Sequence, residues 1–207
     1  SPVYPEIASV IESLRDDFDE IPDERRADLD LIAQFVREHV DEGAPANLTF
    51  ICTHNSRRSH MSQIWAQTAA AYYGVPHVTT FSGGTEVTAF NPRAVASMHR
   101  HGFRIEKTDE ASNPVYHVHY ADAVPPIEAF SKVYDAEPNP KTDFAAIMTC
   151  SHADQNCPFV PGATLRVSIP YVDPKEADGT KREARAYDER SRQIATEMMY
   201  LFSRVRS

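Results

Sequence analysis

Apolar positions along this 207-residue chain follow two different periods. The first 46 residues keep the helical one. Ile7, Val10, Ile11, Leu14 and Phe18 share one face of a predicted helix over 5–18. Pro22 stands at a second helix start, with Asp23 and Glu24 in its first turn. Leu29, Ile32, Phe35, Val36 and Val40 form the stripe of that helix, and Gly43 and Pro45 end it. An amphipathic face needs a surface to bury against. Residues 1–46 are therefore read as a helical extension packed on the main fold.

From residue 47 onward short apolar runs alternate with helical patterns. Leu48–Cys52 reads as a strand, and Met61, Ile64, Trp65, Thr68 and Tyr72 as one face of a helix that Gly74 terminates. Val78–Phe81 is a second strand, ending at Ser82-Gly83-Gly84. Asn91-Pro92 opens a helix with Ala94, Val95 and Met98 inward, stopped by Gly102. Phe144–Thr149 is a continuous apolar run, as in a strand buried on both faces. Thr164–Ile169 is a further strand, and a last helix spans about 181–205. This alternation predicts an α/β fold, a three-layer open parallel sheet with helices on both faces. The main domain is 47–207. Between about 113 and 143 the pattern breaks. Val115–Tyr120 alternates like a strand, Ile127–Tyr134 is its candidate partner, and prolines bound both, so the segment reads as an inserted hairpin or lid.

Composition narrows the function. Net charge is −9, which argues against a nucleic-acid partner and requires any anion site to draw its attraction locally. No apolar run approaches the ~20 residues of a membrane helix. Ser1-Pro2-Val3-Tyr4-Pro5 lacks the basic start and apolar core of a secretion signal, so a cytoplasmic protein is expected. The three cysteines, Cys52, Cys150 and Cys157, are an odd count, which favours reactive or metal-binding thiols over a disulfide framework.

Cys52 carries the sharpest signal. It ends a strand, five residues follow (Thr53, His54, Asn55, Ser56 and Arg57), and Arg58-Ser59 opens a helix. Such a loop can aim its N–H groups at a tetrahedral oxyanion, with the sulfur beneath it. The helix N-terminus and a hydrogen bond from Ser59 favour the thiolate over the thiol, whose free pKa is ~8.5. The planar fork of Arg58 suits two oxygens of the anion. Asn55 suits a left-handed loop position. The competing reading is a small buried cysteine that merely ends a strand.

This Cys-x5-Arg-Ser loop between a strand and a helix resembles that of the low-molecular-weight protein tyrosine phosphatase superfamily, which holds phosphatases and arsenate reductases. The resemblance covers roughly 47–112 and 143–207 and implies that fold. Cys150 and Cys157, with six residues between them, resemble the cysteine pair of the thioredoxin-coupled arsenate reductases. The resemblance implies a relay. Cys52 forms a thiol–arsenate adduct, Cys150 attacks Cys52 and releases arsenite, and Cys157 attacks Cys150. Thioredoxin then reduces the Cys150–Cys157 disulfide, so the intervening polar loop has to move. Asp173 in Asp173-Pro174 matches the family's general acid. Lys175-Glu176-Ala177 follow, where phosphatases place aromatics.

Other readings of these residues stay open. A phosphatase needs only Cys52, and an oxyanion-binding or redox-sensing protein needs little turnover. Cys150, Cys157 and His152 form an incomplete zinc set, and His117/His119 a weak metal pair, so no metal or cofactor is expected. His54 replaces a usual glycine, which predicts strain if that position needs positive φ. Arg57 replaces a usual cysteine. Gln63 replaces an acid of the potassium-binding reductases, which argues against that ion.

Overall fold

A computed structural model describes residues 2–157 and 159–206. The chain order is α1 (Pro5–Leu14), a 3-10 turn (Arg15–Glu20), α2 (Asp23–Asp41), β1 (Ala46–Cys52), α3 (Arg58–Tyr72), β2 (Val78–Gly84) and α4 (Pro92–Arg100). Then follow β3 (Arg104–Lys107), β4 (Tyr116–His119), β5 (Ile127–Ala129), β6 (Phe144–Met148), α5 (Ser151–Asn156), β7 (Ala163–Ser168), a 3-10 turn (Pro174–Ala177) and α6 (Glu183–Arg206).

The main sheet is parallel, in the order β2-β1-β6-β7. Helices cover both of its faces, as the alternating pattern predicts, but unequally. Leu48, Phe50, Ala145 and Ile147 face a large core built with α1, α2, α3, α4 and α6. Phe144, Ala146 and Met148, one residue out of phase, face a small cluster with Ile51, Ala153 of α5 and Val160. Period-two alternation sends each set to its own side. α3 is the most enclosed helix. Ala66, Ala69 and Ala70 let it lie close to its neighbours, and Trp65 is fully buried, its indole N–H donating to Ser191 Oγ of α6 at 2.9 Å. Large apolar side chains buried in this way contribute ~1.5–3 kcal/mol each, which is why the large core dominates stability.

The predicted first helix is shorter than its apolar stripe, because the 3-10 turn takes over at Arg15. Both N-terminal helices join the large core and pack on α6. The predicted hairpin in the 113–143 segment forms, as antiparallel β4 and β5. Its sheet has a third strand, β3, paired with β4. β3 has no apolar alternation and is largely exposed, so periodicity gives it no signal. The Ile127–Tyr134 strand stops at Ala129, since the following residues turn to the Cys52 loop. The polar stretch between Cys150 and Cys157 is helix α5 rather than an irregular loop.

Candidate active site

The Cys52 loop lies where β1 ends and α3 begins, at the carboxyl edge of the sheet. Its carbonyl groups are taken up from outside. Thr53 O accepts from Thr85 N and Glu86 N at 2.9 and 3.0 Å. His54 O accepts from Thr88 and Ser131 hydroxyls, Asn55 O faces His60 Nε2, and Ser56 O accepts from Asn91 N. Among the described residues none accepts from the N–H groups of His54, Asn55, Ser56 or Arg57. With its carbonyls held outside, the loop leaves these donors available to an anion. Gly84 permits the close approach of β2: a Cβ there would lie 2.7 Å from Thr53 O and 2.9 Å from Asn55 N.

Cys52 is buried, 3% exposed, with Sγ 3.0 Å from Ser59 Oγ. Asn55 Nδ2 donates to Ser59 Oγ at 2.8 Å, which leaves the Ser59 hydrogen free for the sulfur. Asn55 is the loop's left-handed residue, with φ 46°, and its Oδ1 accepts from Lys132 N at 2.9 Å. His54 is not left-handed, so the strain predicted for it is absent; its ring meets Glu86 at 3.1 Å instead.

Beneath the loop His60 is fully buried, stacked on Phe90. It bridges Asn55 O and Ser82 Oγ. Burial, with the nearby Lys132 charge, pushes its pKa down to about 3, so the ring is neutral. Lys132 is itself buried, its ammonium donating to Phe130 O, and desolvation lowers its pKa to about 8.

Arg58 and Arg57 converge on Asp173. Arg57 Nε and Nη2 donate to the two carboxylate oxygens at 2.9 and 3.2 Å. Arg58 donates to Asp173 Oδ2 at 3.3 Å and to Tyr171 O at 2.9 Å. Desolvation would raise the Asp173 pKa, but the hydrogen bond from Arg57 and the two guanidinium charges outweigh it and hold it below the usual value. Asp173 also accepts from Lys175 N at the start of its 3-10 turn. The predicted general acid is thus a paired carboxylate here. Arg57, predicted as an oxyanion donor, is 8% exposed and directed at Asp173.

The N-terminal extension reaches this site through Arg25 of α2. Arg25 Nε donates to Glu197 Oε2 at 2.6 Å and Nη2 to Pro170 O at 2.8 Å. Tyr171 OH donates to the other Glu197 oxygen at 2.6 Å. The segment carrying Asp173 is therefore anchored to both α2 and α6.

Cys150 lies beside the loop. Ile51 pairs with Met148, and Thr149 donates twice to Ile51 O, so β1 and β6 end side by side. Cys150 is 1% exposed, and its Sγ caps α5 by accepting from Ala153 N at 3.3 Å. Thr53 Oγ1 is 3.5 Å from Cys150 Sγ and 2.8 Å from His152 Nδ1. Cys157, at the far end of α5, packs on the same small cluster. Burial raises its pKa, opposed by Arg166 and supported by Cys150. Arg166 of β7 holds the helix end, donating to Cys157 O, Asp154 O and Asp154 Oδ1.

Sequence periodicity finds neither the His152–Thr53 contact nor the roles of Lys132, Ser131 and Arg25. Among the described residues no group of three or more His, Cys, Asp or Glu can hold a metal. His117 and His119 face Glu106 and Glu128, and Gln63 donates to Thr80 O. No described helix is long and apolar enough to cross a membrane.

The family model for low molecular weight phosphotyrosine protein phosphatase matches residues 47–124. The arsenate reductase of Bacillus licheniformis is 30% identical over 155 residues, covering 74% of this chain and 92% of that protein. The arsenate reductase of Halalkalibacterium halodurans is 30% identical over 152 residues, covering 71% and 91%. A low molecular weight phosphotyrosine phosphatase from Vibrio cholerae superposes with a TM-score of 0.52 at 11% identity, covering 76% of this chain and 95% of that one. A low molecular weight protein tyrosine phosphatase from Bacillus subtilis gives 0.52 at 14% identity, covering 77% and 97%. At such identities the structural likeness bears on the fold alone.

Proposed function

The chain belongs to the low-molecular-weight phosphotyrosine protein phosphatase family, with arsenate reductases among its relatives, and from that premise we propose that it reduces arsenate through three thiols. The observation that carries this reading is the side-by-side ending of β1 and β6. It sets Cys150 against Thr53, the residue after Cys52, with Cys157 on the same cluster.

In the proposed sequence the Cys52 thiolate attacks arsenic, an S–As bond forms and an oxygen leaves as water. The Cys150 thiolate then attacks the Cys52 sulfur. The S–S bond forms, the S–As electron pair passes to arsenic, and arsenite departs as As(III). Cys157 attacks Cys150, freeing Cys52 as a thiolate and leaving a Cys150–Cys157 disulfide. An external dithiol such as thioredoxin supplies the two electrons that reopen it. Arg58 would turn from Asp173 to hold substrate oxygens, alongside the loop N–H groups and the Ser59-supported sulfur. Unwinding of α5 would bring Cys157 to Cys150, and a six-residue helix costs little to open.

The family's phosphatase chemistry is the second reading, supported by the matching family model and by Asp173 beside Arg58. One assay separates the two. With arsenate and a thioredoxin system, Cys52→Ser, Cys150→Ser and Cys157→Ser should each lose multiple turnover. Sustained arsenite production without Cys150 or Cys157 would defeat the relay. Efficient wild-type hydrolysis of an unactivated ester such as phenyl phosphate, dependent on Cys52 alone, would favour the phosphatase.

A further inference from the structure

Two guanidinium groups meet one carboxylate at this site, and their geometries differ. Arg57 grips Asp173 with both oxygens engaged, while Arg58 gives it one longer bond and divides itself with the Tyr171 carbonyl. An arriving oxyanion competes for Arg58, the weaker of the two clamps. A site with one arginine would then strip Asp173 of its cation and let it take up a proton. Here Arg57 stays behind, so two cations serve two anions. Its position is well enclosed, with side-chain exposures of 10% for Arg57 and 24% for Asp173, where a bidentate pair is screened less than at the surface.

The surroundings do not offset this clamp. Beyond Asp173 lies a cavity of about 490 Å³ lined by Glu176, Arg182, Arg185, Glu189 and Arg190. Two carboxylates face three guanidiniums there, so the lining adds positive charge and does not favour a proton on Asp173. Tyr187 of α6, also near Asp173, donates its hydroxyl to Asp178. Among the described residues no aromatic ring lines the cavity for an aryl leaving group to stack on.

The chemical consequence differs between substrates. When a thiolate displaces an ester oxygen from phosphorus, the S–P bond forms, the P–O bond breaks, and the departing oxygen needs a proton from the enzyme. The dihydrogen arsenate anion carries its own. One As–OH can pass its proton to another, which leaves as water. A thiolate and a dihydrogen arsenate monoanion thus give a sulfur-bound arsenate dianion and one water, with no proton drawn from the protein.

We propose that Arg57 is a specificity-determining positioning residue: by keeping the Asp173 carboxylate clamped while Arg58 turns to substrate, it withholds the proton that a poor leaving group needs and biases Cys52 toward inorganic oxyanions over unactivated phosphoesters. The inference rests on Cys52 being the nucleophile of the proposed function, but its test does not use the Cys150/Cys157 relay.

The test compares hydrolysis of phenyl phosphate, a poor leaving group, with that of 4-nitrophenyl phosphate, a good one, at matched pH. Wild type should favour the nitrophenyl ester strongly. Arg57→Gln should raise the phenyl phosphate rate about tenfold or more relative to the nitrophenyl rate, part of the range available to general acids. Arg57→Lys, which keeps a charge but not the fork, should fall between. The gain should vanish in Arg57→Gln/Asp173→Asn. Equal change for both esters, no gain for phenyl phosphate in either Arg57 variant, or a gain that survives Asp173→Asn would overturn the proposal. Failure of the Cys150 and Cys157 variants to affect arsenate turnover would instead overturn the relay and leave this result standing.

Discussion

The two faces of the main sheet are made by the same strands and yet are built for different work. On one face Leu48, Phe50, Ala145 and Ile147 meet five helices in a continuous core. On the other, Phe144, Ala146 and Met148 meet a six-residue helix and a few loop residues. The thick face holds α3 rigidly, and with it Arg58, Ser59 and the anion loop. The thin face carries Cys150 and Cys157. A relay among thiols needs one fixed partner and others that can travel, and little buried area has to be given up for α5 to move.

A matched pair of substitutions on neighbouring strands probes this contrast most strongly. Phe50 and Phe144 are both buried, 0% and 3% exposed, one on each face. Phe50→Ala is expected to cost about 5 kcal/mol, because the rigid surroundings cannot close the cavity. Phe144→Ala is expected to cost about 3 kcal/mol, since thinner cover relaxes more easily. Urea unfolding of both variants measures it, and equal losses would remove the distinction.

A somewhat smaller effect is expected where the N-terminal extension meets the site. Arg25→Met leaves Glu197 buried without its guanidinium, at about 3 kcal/mol. It also frees the Pro170 carbonyl, so the Asp173 segment should loosen and kcat should drop at temperatures where the variant is still folded. Chemical denaturation together with turnover would show both, and an unchanged kcat would reduce Arg25 to a purely structural tie.

The smallest effects per step are those of pH, and they come from two buried groups that touch Asn55 of the Cys52 loop. His60 is neutral when folded, with its pKa down from 6.5 to about 3. The unfolded chain therefore binds the extra proton, and stability should be lost as pH falls from 6.5 toward 3. Lys132 acts at the other end. Its pKa falls from 10.5 to about 8, so stability should rise as pH climbs through that window. His60→Gln should flatten the acid limb and Lys132→Met the alkaline one, as read by melting temperature across pH.

Much of this organisation is legible in the sequence, for reasons that also mark its limits. β1 and β6 announce themselves because central parallel strands are apolar runs, the edge strands β2 and β7 because short β-branched stretches lie beside glycine turns, and the Cys52 loop because its residues are contiguous. β3 escapes because its exposed residues do not alternate. The tendency of Asn55 toward positive φ is a local property and can be read directly, whereas the backbone at position 54 depends on how the loop is hung from Thr88 and Ser131, far along the chain. Arg57 illustrates the same limit. Its charge is visible as an oxyanion donor, but its partner, 116 residues away, turns it into a clamp on Asp173. The Arg25–Glu197–Tyr171 anchor likewise joins three distant segments that no period relates.

In the proposed relay the attack of Cys150 on Cys52 delivers the electron pair that reduces arsenic, and a single turnover isolates that step. Reduced Cys157→Ser protein would be mixed with one equivalent of arsenate, quenched in acid and mapped by peptide mass spectrometry. The relay predicts a disulfide joining the Cys52 and Cys150 peptides, formed in step with one equivalent of arsenite. Both cysteines recovered as free thiols, with arsenate unchanged, would contradict it.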